Sequence, residues 1–84
     1  FLDISYKIYI KMKKIDLHGI KHEFVSRRLD TFFWDMMQKN VTEIEVITGI
    51  SERMKEIVKE TCVDYNFNVD EHPTNYGCLI VRIN

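Results

Sequence analysis

The stretch "KKIDLHGIKHEF" (residues 13–24) runs from a strand-like segment through a glycine into a helix-like one, and its reading decides the fold. A short strand around residues 14 to 17 is predicted, closed at Gly19. From His22 to Gln38 the apolar residues Val25, Leu29, Phe32, Phe33 and Met36 fall at spacings of four, three, one and three, which is one helical stripe, and Asn40 supplies a stop. The same order of events then recurs. "EIEVITG" (residues 43–49) predicts a buried strand ending at a glycine, and Met54, Ile57, Val58, Thr61, Cys62 and Tyr65 trace a second helical stripe.

Beyond the second helix, "NFNVDEH" (residues 66–72) alternates Phe67 and Val69 with polar residues, and "GCLIVRI" (residues 77–83) is dense in β-formers. "PTNY" between them carries turn chemistry, so the two form a hairpin. The order is βαβαββ: an α/β two-layer sandwich with both helices on one face of a mixed sheet. Ahead of it, Ile4, Tyr6, Ile8, Ile10 and Met12 alternate with polar residues, which predicts an added N-terminal strand with a wet, basic face. Residues 1–13 are thus read as an extension and residues 14–84 as the domain, with Met12 an alternative natural start.

Bulk properties bound the rest. Eighty-four residues supply one small core, and 45% hydrophobic with 30% charged residues is an ordinary globular composition. A net charge of -1 excludes a whole-surface basic footprint while leaving a local patch open. Cys62 and Cys78 lack metal or redox spacing and sit in apolar patterns, so both are expected as reduced core residues in a cytoplasmic protein. The first residues are too polar for a signal peptide, and no apolar run reaches the roughly 18 residues of a membrane span.

Topology gives the corners a shared address. Right-handed βαβ crossovers make the strands before Gly19 and Gly49 parallel, so both corners emerge at one sheet edge. If the third strand runs the same way, the turn at residues 72–76 joins them, gathering Asp16, His18, the amides of residues 49 to 52, His72, Asn75 and Tyr76 where open α/β sheets bind ligands.

"IDLHG" before one helix and "VITG" before a second resemble the Smr (small MutS-related) domain, and the resemblance covers roughly residues 14 to 83. It implies the fold of the C-terminal domain of translation initiation factor three, with a four-stranded sheet in order 1-2-4-3 and the last strand antiparallel. It also implies nucleic-acid binding and, in several branches, endonuclease activity on DNA or ribosome-associated RNA. Asp16, Leu17, His18 and Gly19 match the D-L-H-G positions, and Thr48 and Gly49 match the start of the second corner. Ser51 stands where that corner has its second glycine, Ile50 where a basic residue is frequent, and Met54 and Lys55 where the family tends to Leu-Arg.

From the residues themselves, His18 is the first candidate for catalysis: an imidazole can serve as general base or acid, and Asp16 is placed to orient it for attack on a phosphate. The competing reading is an Asp–His bond that merely ties the corner down. Lys14, Lys21, Arg53 and Lys55 are candidate phosphate clamps, beside Gly19, Thr48, Gly49 and Ser51 as backbone contacts. His18 and His22 are four apart, but Gly19 between them spoils a zinc geometry, and Asp16 would at most help hold a loosely bound Mg2+; no metal is required. Trp34 lies off the apolar stripe beside Arg27 and near Asp30, fit to stack a base, to anchor a partner or second copy, or to pack on the extension. The expected function, as the resemblance implies it, is that of a nucleic-acid-binding domain with endonuclease activity on RNA or DNA, a structured or ribosome-associated RNA being favoured over duplex DNA. A non-catalytic nucleic-acid- or ribosome-binding module, and a protein-interaction domain that dimerises through Trp34 or the N-terminal strand, stay open as alternatives.

Overall fold

The computed structural model describes residues 12–83. The chain runs β1 (Met12–Asp16), α1 (His22–Gln38), β2 (Glu43–Ile47), α2 (Glu52–Tyr65), β3 (Asn68–Glu71) and β4 (Cys78–Arg82). The sheet has the order β1-β2-β4-β3, with β1 parallel to β2 and β4 antiparallel to both its neighbours. This is the expected mixed four-stranded α/β architecture. The added strand expected at the N-terminus falls almost wholly outside the described residues. β1 itself opens two residues earlier than expected, because Met12 and Lys13 already pair with Glu43 and Ile44 of β2.

Period-two alternation sorts the sheet into two faces. Ile15, Ile44, Val46, Leu79 and Val81 turn inward and are buried with Val25, Leu29 and Phe33 of α1 and Ile57, Val58 and Cys62 of α2. Cys62 meets the expectation of a core thiol. Cys78 is also buried, but it lies beside Leu79 on the opposite face, outside that cluster, opposite Ile47 on β2. Its thiol is held above its ordinary range by burial and then by the neighbouring Glu45 carboxylate.

Both helices stop where the backbone turns left-handed, at Asn40 (φ 58°) and at Asn66 (φ 61°). Asn66 and Phe67, expected in the third strand, instead end α2: the Phe67 N–H donates to the Cys62 carbonyl at 2.9 Å. Phe67 then packs against Phe33 and Tyr65, with ring centroids 5.2 and 5.3 Å away. No helix among the described residues is long and apolar enough to cross a membrane.

Candidate functional site

Each parallel strand hands the chain to its helix through one left-handed glycine, Gly19 at φ 86° and Gly49 at φ 69°. The strands are adjacent, so the corners are adjacent too. The Leu17 N–H donates to the Ile47 carbonyl at 2.8 Å, extending the β1–β2 ladder to the last residue before His18. β3 runs parallel to β1 and β2, since both it and β2 are antiparallel to β4, so the turn after β3 reaches the same edge. There the Gly77 carbonyl accepts from the N–H groups of Thr48 and Gly49 at 2.8 and 3.0 Å. The buried Thr48 hydroxyl adds bonds to the carbonyls of Gly49 and Gly77 at 2.8 and 3.2 Å. The three segments expected at one rim are joined there.

The exposed His18 ring leans over the second corner. A Cβ added to Gly49 would lie 2.9 Å from His18 Cδ2, so the imidazole edge occupies the space that a side chain at position 49 would need. No hydrogen bond engages either ring nitrogen among the described residues. Asp16 acts differently from expectation: its Oδ1 accepts the backbone N–H of His18 at 2.9 Å, fixing the corner's backbone and leaving the ring alone.

An open groove of about 720 Å3 runs between the corners, lined on one side by His18 to His22 and on the other by Thr48 to Ser51 and Met54. Ser51 caps α2, its hydroxyl accepting from the Met54 N–H at 3.1 Å. The amides of Ile50 and Ser51 donate to nothing among the described residues, whereas that of Gly49, expected to be free, is spent on Gly77. What remains for an anion is the pair at residues 50 and 51 together with the first turn of α2.

Of the expected contact residues, His18, Gly19, Lys21, Thr48, Gly49 and Ser51 line this groove. The others do not. Lys14 stands on the outer face of the sheet, 4.0 Å from Glu45. Arg53 pairs with Glu56 at 3.1 Å along α2. Lys55, expected as a phosphate clamp, has a side chain only 3% exposed: its ammonium donates to the Tyr76 carbonyl at 2.6 Å, lies 3.4 Å from the Tyr76 ring centroid and approaches Glu71 at 3.8 Å. It fastens the rim turn to α2. The rest of that turn is likewise occupied by its own structure. His72 Nδ1 accepts from the amides of Thr74 and Asn75 at 3.1 and 3.0 Å, Asn75 Oδ1 accepts from Gly77 N–H at 3.0 Å, and the Tyr76 hydroxyl donates to Glu52. That last bond raises the Tyr76 phenol above its ordinary value and points the Glu52 carboxylate at the turn.

Among the described residues no group of three or more His, Cys, Asp or Glu is arranged to hold a metal ion. Sequence reasoning found Trp34 but missed the aromatic and cationic residues that share its helix face, Phe24 and Arg28. Phe24 has a legible signal: it lies next to Val25 yet off the apolar stripe, so it must face out.

Fold and rim together define an open-faced α/β domain with two glycine corners and a histidine between them. Comparison with protein-family models, with curated proteins and with solved structures returned no match.

Proposed function

We propose that this chain is an Smr-like nucleic-acid-binding domain that cleaves phosphodiester bonds, in a cytoplasmic setting, with RNA as the preferred substrate. The observation that carries the reading is the His18 imidazole lying against Gly49 at the head of α2, with both ring nitrogens unengaged among the described residues. A phosphate seated on the amides of Ile50 and Ser51 would sit beside that ring, with the positive end of the α2 dipole behind it. In this reading His18 takes the proton from an attacking water or ribose hydroxyl, and the amides bear the charge that grows on the non-bridging oxygens. The leaving oxygen takes its proton from solvent, which the open groove admits. Asp16 is a positioning residue that holds the corner through the His18 backbone. Lys21, on the groove wall, is the one cation of the expected set left to meet the phosphate. The motif resemblance of D-L-H-G and T-G supports the same assignment.

The test is cleavage of labelled single-stranded RNA, duplex RNA and supercoiled DNA, with and without chelator, by the wild-type chain and His18→Ala. Wild type is expected to cut RNA, and the variant to lose about 100-fold or more in rate while still binding. Identical products from both proteins sink the catalytic assignment. Binding without cleavage by wild type would leave the module reading, which the capping role of Ser51 favours.

A further inference from the structure

Three surface grooves join end to end. The one between the corners shares Ile20 with a second, lined by Phe24, Arg27, Arg28 and Thr31, and that one shares Arg28 and Thr31 with a third that reaches Trp34. The result is a continuous trough from His18 along the outer face of α1. From His22 to Trp34 it covers about 18 Å of helix, the reach of a few nucleotides.

Its lining combines exposed rings with cations that have no carboxylate partner among the described residues. Phe24 is 50% and Trp34 62% exposed, two large rings presented to solvent along one helix face. Lys14, Lys39, Arg53, Lys55, Lys59 and Arg82 each approach a carboxylate within 4.0 Å. Lys13, Lys21, Arg27 and Arg28 form no ion pair among the described residues, and all but Lys13 line the trough. Of the carboxylates on α1, Asp35 lines the third groove but pairs with Lys39 at 3.1 Å, Asp30 accepts from the Tyr65 hydroxyl at 3.1 Å, and Glu23 is exposed.

We propose that this trough is a binding track for single-stranded nucleic acid, leading a strand past Trp34 and Phe24 to His18. Uncommitted guanidinium groups complement a phosphate chain, and exposed aromatic faces between them stack unpaired bases, which a duplex keeps to itself. The proposal rests on the nuclease reading for its end point at His18, and it adds the substrate class: an unpaired strand, held along α1.

Trp34 is the one tryptophan of the chain, so its fluorescence reports the track directly. The probes are oligouridylate and oligothymidylate of about 12 nucleotides and a blunt RNA duplex of similar length, titrated into the whole chain. Saturable quenching of Trp34 is expected with the single strands and not with the duplex, and stronger quenching by oligouridylate than by oligothymidylate marks RNA as the preferred strand. Trp34→Ala and Phe24→Ala are each expected to weaken single-strand binding, read by anisotropy of a labelled probe, about tenfold. Arg27→Gln with Arg28→Gln should lower the slope of log affinity against log salt by about 1.4. These side chains are exposed, so the variants should keep the wild-type circular dichroism. Binding that leaves Trp34 fluorescence unmoved, survives all four substitutions or prefers the duplex overturns the track, and the nuclease reading stands where cleavage accompanies it. Loss of cleavage in His18→Ala with quenching intact supports both. Absence of binding and of cleavage with every probe overturns both, and points Trp34 toward a protein partner.

Discussion

At the scale of single residues, the two corner glycines look alike in sequence and differ in what surrounds them. Both have positive φ, so alanine at either costs about 1–2 kcal/mol in backbone strain. A Cβ at Gly19 meets nothing within 4 Å, whereas at Gly49 it meets the His18 ring at 2.9 Å. Gly19→Ala is therefore expected to lower stability by about that amount and leave the imidazole in place. Gly49→Ala should lower stability by a similar amount, because an exposed ring swings away cheaply, but it displaces His18 and should cut cleavage well beyond the loss in Gly19→Ala. Urea denaturation gives the first quantity and RNA cleavage the second. In a His18→Ala background the Gly49→Ala stability cost should persist while its effect on cleavage disappears. Equal cleavage by the two single variants would mean that the contact between ring and corner does nothing for the chemistry. The nearby Gly77 is constrained from another side, since its own added Cβ would come within 3.3 Å of Gly49 Cα.

At the scale of elements, what was legible in the sequence was whatever periodicity or a breaker controls. The four buried residues of α1 lie on the stripe that spacing alone picks out, and His18, Gly49 and the rim turn meet because parallel strands leave them no other edge. Where tertiary contacts decide, the sequence was silent. Lys55 has the composition of a surface cation, and only the packing of the rim turn on α2 makes it a buried ammonium with a carbonyl, a ring and a carboxylate around it. Asp16 likewise has two partners within reach at the same spacing, the ring and the amide of His18, and only the folded backbone of the corner selects the amide. Phe67 alternates correctly for a strand but is captured by the helix end. The Lys55 arrangement makes a quantitative expectation. Lys55→Ala strips a charged hydrogen bond and a packed aliphatic stem, so it should destabilise by about 2–3 kcal/mol. Lys55→Met keeps the stem and should recover part of that. If Lys55 were a phosphate contact instead, both variants would weaken RNA binding equally at unchanged denaturation midpoint.

At the scale of the whole molecule, a net charge of -1 hides a segregated surface. The outer sheet face carries Asp16, Glu43, Glu45 and Asp70 against Lys14 and Arg82, while Lys21, Arg27 and Arg28, three of the four cations without an ion pair among the described residues, lie at the start of α1 and along it. A polyanion would meet like charge on the sheet face and unpaired cations along α1, so a modest overall charge is compatible with the proposed track. Four groups of the same molecule tie its stability to alkaline pH. Burial in the core pushes the Cys62 thiol from the ordinary 9.0 to about 11. Burial, helped by neighbouring carboxylates, also raises Cys78 and Tyr65, and the bond to Glu52 raises Tyr76. A raised folded-state value means that the native protein holds its proton after the unfolded chain has released it. The Cys62 contribution is fully present below about pH 9, declines as the unfolded thiol ionises, and is gone once the folded thiol titrates near 11. A rise from 9.0 to about 11 corresponds to at most about 3 kcal/mol lost across that window. Cys62→Ala should lower stability at neutral pH by leaving a small void, yet flatten the decline between pH 9 and 11 relative to wild type, because that titration is removed while those of Cys78, Tyr65 and Tyr76 remain. Urea denaturation of both proteins at a series of pH values measures the difference, and parallel curves would show that the Cys62 thiol ionises in the core as easily as in water.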